Sequence, residues 1–169
     1  MNLILTGYRG TGKSSTAKEL SKMLKIKEVS SDEAVEKKQG MNIEEIVKKF
    51  GWSEFRKIEK EVIKDISEQD NMIVDCGGGV VLDEENVKNL KKKGKIILLL
   101  ASVQTIRNRI KDSKLPALTE KNYLDEVEDV LEKRKPFYSK AADLAIDTEN
   151  STPKEVANKI KKAIDYGVL

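Results

Sequence analysis

Residues Gly7-Tyr8-Arg9-Gly10-Thr11-Gly12-Lys13-Ser14 fit the pattern G-x-x-x-x-G-K-[ST] at every position. Glycines let a backbone turn back on itself so that several N–H groups point into one concavity, and a helix starting behind them adds the positive end of its dipole. Such a nest binds phosphate. Gly10, Thr11, Gly12 and Ser15 would then hold the phosphates of a nucleotide. Lys13, expected to be exposed in the loop, would reach the β- and γ-phosphates as a mobile point charge, and the Ser14 hydroxyl would take one coordination position on Mg²⁺. A plain glycine-rich turn with a solvated lysine is the competing reading. It leaves unexplained why apolar Leu3-Ile4-Leu5 and a helix-like Ser15–Leu24 stand where the motif requires a strand and a helix.

Two further features could do chemistry. Gly77-Gly78-Gly79 follows the apolar run Met72–Val74 and Asp75. Three glycines at a strand end cost stability, so something must come close to that backbone; a loose turn is the competing reading, and at the carboxyl end of a parallel strand close approach by a substrate is favoured. Arginine is the second feature, because only five of the 32 basic residues are arginines: Arg9, Arg56, Arg107, Arg109 and Arg134. A chain that uses lysine for solubility and keeps few arginines points to bidentate forks for carboxylate or phosphate, a geometry lysine cannot supply. Any single one of them could be an ordinary ion pair.

Composition removes other classes. The chain has 169 residues, enough for one domain with a proper core, and we read 1–169 as a single domain. A net charge of +3 against 32 basic and 29 acidic residues makes no case for nucleic acid, and Lys91-Lys92-Lys93 reads as a solvated helix face. No histidine is present, and Cys76 is the lone cysteine, which excludes zinc sites, imidazole acid/base catalysis and an internal disulfide. A cytoplasmic location is the expectation from cysteine usage, and no apolar run is long enough for a membrane helix.

These residues must be positioned by an alternation of strands and helices. Short apolar strands are expected at Asn2–Leu5, Lys27–Val29, Met72–Val74, Lys95–Leu100 and Leu144–Ile146. Helical periodicity covers Ser15–Leu24 and Asp32–Gln39, where Gly40 stops it. Asn42 and Glu45 form a capping pattern for a helix to Phe50; Gly51 breaks it, and Trp52–Glu68 is a longer helix. Further helices are expected over Asp83–Lys92, from Ser102 to Lys111, from about Tyr123 past Pro136, and from Thr152-Pro153-x-Glu155 to about Tyr166. Residues 112–122, polar around Leu115-Pro116-Ala117-Leu118, read as a mobile loop. Five strands alternating with helices imply an α/β three-layer sandwich with a parallel five-stranded sheet, the P-loop NTPase fold. The phosphate loop, Asp32, the triple glycine and the loop after Leu100 then share one rim, where a ligand lies naturally.

Taken in order, these residues resemble the shikimate kinases, in the nucleoside-monophosphate-kinase branch of P-loop proteins. The likeness rests on the phosphate loop, Asp32 heading its helix, Gly51 followed by Phe55-Arg56 and Glu59, Gly77-Gly78-Gly79, Pro116-Ala117-Leu118, Arg134-x-Pro136-x-Tyr138 and Asp147-Thr148 before Pro153. It implies ATP-dependent phosphorylation of the 3-hydroxyl of shikimate, a step towards chorismate and the aromatic amino acids, with Mg²⁺, by a monomer. Carried over, Arg56 and Arg134 would grip the substrate carboxylate. Gly77, Gly78 and Gly79 would position the ring within a helical region at about 32–60, Asp32 would hold its hydroxyls and either accept a proton or act by orientation alone, and Arg109 and Pro153 would flank the adenine.

Two positions depart from the family. An aspartate that helps hold Mg²⁺ through water is Ser30 here; Asp75, at the end of a neighbouring strand, could supply that carboxylate. The lid arginine is Leu115 here, and Lys114 or Arg9 could bring the charge instead, with Lys114 the favoured catalytic substitute in a lid at about 112–122. A kinase for another hydroxylated acid such as gluconate stays open, as does a nucleotide-binding regulatory protein with weakened catalysis. A GTPase is disfavoured, since no Asn-Lys-x-Asp occurs.

Overall fold

The computed structural model describes residues 1–113, 116–122 and 124–169. Five strands form one wholly parallel sheet: β1 (Asn2–Thr6), β2 (Lys27–Ser30), β3 (Met72–Asp75), β4 (Gly94–Leu100) and β5 (Leu144–Asp147), in the order β2-β3-β1-β4-β5. The helices are α1 (Lys13–Leu24), α2 (Ser31–Gln39), α3 (Ile43–Ser67), α4 (Glu84–Lys91), α5 (Val103–Ile110), α6 (Val127–Ala141) and α7 (Pro153–Asp165).

The strand pattern follows from burial on both faces. Along β1, Leu3 and Leu5 face a cluster with Ala17 and Leu20 of α1 and Val156, Ala157 and Ile160 of α7. Ile4 between them faces the other layer, with Phe55, Ile58, Val62 and Ile66 of α3. In β4, Ile97 and Leu99 go to the first cluster and Ile96 and Leu98 to the second. Successive side chains point to opposite faces and neither face meets water, so these strands read as apolar runs rather than as alternations. Each such side chain contributes about 1.5–3 kcal/mol by leaving water. A third cluster, Tyr8, Ile106, Ile110, Val127 and Val130, packs α5 and α6 beneath the phosphate loop.

Local signals place most boundaries. Asn42 and Glu45 form the expected capping box, as do Thr152 and Glu155 with Pro153 in the first turn. Gly51 takes φ 81° and ψ 167° inside α3, so the expected break is a kink joining two helical halves rather than a chain interruption. Val80–Leu82 form a 3₁₀ turn that apolar periodicity does not announce. The helix expected from about Tyr123 begins later, at Val127. Tyr123 lies outside the described residues; the Asn122 side chain accepts from the N–H groups of Leu124 and Asp125, and its carbonyl accepts from Asp125 and Glu126, holding residues 124–126 in a turn. Pro136 lies within α6. No helix among the described residues is long and apolar enough to cross a membrane.

Candidate active site

Because every strand is parallel, the carboxyl ends of β1, β2 and β3 open on one edge, and the cleft there has a volume of about 390 Å³. Gly10, Gly12, Lys13, Ser14, Ser15, Asp32, Arg56, Asp75, Gly77, Gly78, Gly79, Arg109 and Arg134 all line it. These expected site residues are thus brought together from separate elements, while Thr11 and Pro153 do not line this cleft.

The phosphate loop closes β1 onto α1. Gly12 stands at the N-cap of α1 with φ 91°, a conformation that a side chain would strain. Thr11 is buried and donates its hydroxyl to the Tyr8 carbonyl at 2.8 Å, fixing the turn from within. Lys13 is not the exposed side chain expected. It is half-buried, and its Nζ folds back to donate to the carbonyls of Gly7 at 2.9 Å and Tyr8 at 3.1 Å. Burial lowers its pKa, with the carboxylates of Asp75 and Asp32 opposing the shift. The ammonium is parked on its own loop, beside two acids.

Asp75 ends β3 in register with Leu5 of β1 and Ser30 of β2, and is buried. Burial raises its pKa, while the charge of Lys13 and the neighbouring Ser14 hydroxyl pull it down. A hydroxyl and a carboxylate meeting at the head of α1 are oxygen donors of the kind Mg²⁺ takes. Asp32 stands in the first turn of α2, where Ser30 caps the helix. Burial pushes its carboxyl up against the pull of Lys13.

The triple glycine makes room for side chains. A Cβ on Gly77 would lie 2.6 Å from Asp32 Oδ1 and 3.1 Å from Glu59 Oε1. One on Gly78 would lie 2.8 Å from the Gly7 carbonyl and 3.5 Å from Arg134 Nη1, and one on Gly79 would run into the Arg56 guanidinium. What lies close to this backbone is therefore a set of the protein's own groups, among them Asp32, Arg134 and Arg56. Arg134 is 8% exposed, with its guanidinium 5.9 Å from the Tyr8 ring centroid, and the Tyr138 hydroxyl donates to the Gly78 carbonyl at 2.7 Å.

Arg109 and Pro153 stand beside the phosphate loop. Arg109 Nη1 donates to the Gly10 carbonyl at 3.1 Å and to Thr148 Oγ1 at 3.2 Å, and Nη2 to the Thr148 carbonyl at 3.0 Å. Pro153 lines an adjoining cavity of about 200 Å³ with Thr11, Gly12, Ser15 and Arg109, rather than the main cleft. Lys114 and Leu115 lie outside the described residues. Arg9, the other candidate for the lid charge, lines the cleft and donates Nη1 to the Pro116 carbonyl at 2.9 Å.

Glu59 is a residue whose role sequence reasoning missed. It is 1% exposed, and its Oε2 accepts from Arg56 Nη1 at 2.6 Å. Among the described residues its Oε1 has no hydrogen-bond partner. Burial pushes its pKa up from 4.5 to about 7, against the pull of Arg56. Its spacing of three from Arg56 in a helix was the available signal.

The comparisons agree with this geometry. The family model described as shikimate kinase matches residues 9–165. The shikimate kinase of Thermodesulfovibrio yellowstonii is 47% identical over 162 residues, covering 95% of this chain and 93% of that protein. Two solved structures are similar: shikimate kinase from Acinetobacter baumannii in complex with shikimate (TM-score 0.92, 28% identity, 98% of this chain and 93% of that one) and shikimate kinase from Aquifex aeolicus (TM-score 0.85, 34% identity, 100% and 99%). With a family match across nearly its whole length and the phosphate loop, Asp32 and both arginines on one cleft, the chain belongs to the shikimate kinase family.

Proposed function

We propose that the chain transfers the γ-phosphoryl group of ATP to the 3-hydroxyl of shikimate, giving shikimate 3-phosphate and ADP. The observation that carries this reading is that Arg56 and Arg134, seated against Gly79 and Gly78, open into the same cleft as Lys13. Two guanidinium forks suit one small carboxylate, and a substrate held by them lies within the cavity that receives the nucleotide phosphates. The bond from the hydroxyl oxygen to the γ-phosphorus forms as the bond to the β–γ bridging oxygen breaks, and the hydroxyl proton passes to Asp32, whose raised pKa suits a proton acceptor. Lys13 leaves its own loop's carbonyls to meet the phosphates, and its charge offsets what gathers on the transferring oxygens. Arg109 and Pro153 flank the base.

Ser14 and Asp75 would hold Mg²⁺, which supplies charge neutralisation across the β- and γ-phosphates when bound. Asp75 is the register neighbour of Ser30, which supports its supplying from one strand over the carboxylate that the resemblance expects at position 30. Asp75→Asn keeps shape and hydrogen bonding while removing the charge. It should raise the Mg²⁺ concentration needed for half-maximal turnover; an unchanged Mg²⁺ requirement would leave Asp75 as no more than a neighbour of the Ser14 hydroxyl.

A further inference from the structure

We propose that Trp52 is a positioning residue that couples occupation of the carboxylate site to docking of Pro116 and Ala117. The Trp52 Nε1–H donates to the Ala117 carbonyl at 3.0 Å, while Arg9 of the phosphate loop donates to the adjacent Pro116 carbonyl at 2.9 Å. Consecutive carbonyls are thus held by one side chain from each half of the cleft, Arg9 from the nucleotide side and Trp52 from the acid side. On its other side Trp52 meets the acid-gripping arginine. The Arg56 guanidinium lies 5.5 Å from the Trp52 ring centroid and 5.1 Å from that of Phe55, and the two rings meet edge to face at 5.3 Å and 83°.

The backbone explains why the ring moves with Arg56. Trp52 directly follows the kink at Gly51, so it belongs to the half of α3 that carries Arg56 and Glu59. The two residues that follow the clasped carbonyls are anchored elsewhere: buried Glu126 accepts from the N–H groups of Leu118 and Thr119 and from the Thr119 hydroxyl. Residues 116–117 are therefore the stretch on which both ligand sides pull. A carboxylate that orders Arg56 also orders the ring stacked beside it. The docked segment then forms its hydrogen bond with less freedom left to lose, and a nucleotide beneath it binds more tightly. Linkage makes the effect mutual.

The proposal rests on the shikimate reading above, and its test separates the two. The affinity of a non-hydrolysable ATP analogue is measured with and without saturating shikimate, in the wild type and in Trp52→Phe, which keeps an aromatic ring beside Arg56 and deletes the N–H donor. Shikimate should tighten the analogue in the wild type, and that factor should shrink roughly two- to tenfold in the variant, the worth of one neutral hydrogen bond. Each ligand alone should bind as before. A wild type that does not bind shikimate overturns the substrate reading. Bound shikimate with no coupling, or coupling undiminished in Trp52→Phe, overturns the role of Trp52. A second measurement needs no variant: Trp52 is the chain's single tryptophan, so acrylamide quenching of its fluorescence in the shikimate-saturated wild type should fall when the analogue is added. Unchanged quenching would also overturn the proposal.

Discussion

Replacing Glu59 by glutamine should leave stability unchanged near pH 4 and raise it at pH 8. The carboxyl is 1% exposed, and burial pushes its pKa from 4.5 to about 7 despite the Arg56 guanidinium at 2.6 Å. Between those values the native state keeps a proton that the unfolded chain has released. The contribution to stability is therefore fully present below pH 4.5 and is lost as pH rises through 7. At about 1.4 kcal/mol per unit, the whole swing comes to about 3 kcal/mol. Glutamine cannot titrate, yet it keeps the shape of the side chain and an oxygen for Arg56. Asp32 and Asp75 are also raised by burial, but they titrate in both proteins and largely cancel in the difference. Urea unfolding of wild type and Glu59→Gln from pH 4 to 8 reads the effect directly. A stability difference that stays flat across this range, or a variant weaker at pH 8, would refute the claim that an ionised Glu59 is a strained partner for Arg56.

Lys13→Ala should abolish phosphoryl transfer at saturating ATP. Because Nζ bonds two loop carbonyls, the variant should also lose about 1 kcal/mol of stability, as judged by urea unfolding. Arg56→Lys and Arg134→Lys should each raise the KM for shikimate by about 1.5–3 kcal/mol per lost charge-assisted contact, leaving the KM for ATP nearly unchanged; equal weakening of both would place these arginines elsewhere. Gly79→Ala should reproduce the Arg56 defect at little cost in stability, since the new methyl displaces the flexible end of that side chain; steady-state kinetics beside a thermal melt would show a fold defect instead if the reasoning is wrong.

What the sequence makes legible is what local chemistry decides. The phosphate loop, the two capping boxes, the strand runs and the turning point at Gly51 all follow from residue types at short spacing. The triple glycine announces a close approach, and it takes the fold to say that Asp32, Arg134 and Arg56 are among the groups approaching. Glu59 escapes for the same reason: a glutamate three residues from an arginine looks like an ordinary helix-surface pair, and only tertiary packing makes it buried. The exposed Lys13 that the motif suggests is half-buried in the structure because the carbonyls it bonds belong to the loop's own fold, which spacing does not reveal. The late start of α6 has a similar origin, since Asn122 holds a turn and Glu126 spends its carboxylate on Leu118 and Thr119.

The central claim is that the cleft joins a phosphate loop to a site for a hydroxylated carboxylic acid, and that the acid is shikimate. ADP release followed with ATP and Mg²⁺, with and without shikimate and with gluconate in parallel, tests it most directly. The account predicts turnover that depends on shikimate, with shikimate 3-phosphate as the product and gluconate inert. ATP consumption indifferent to shikimate, or a preference for gluconate, would contradict it.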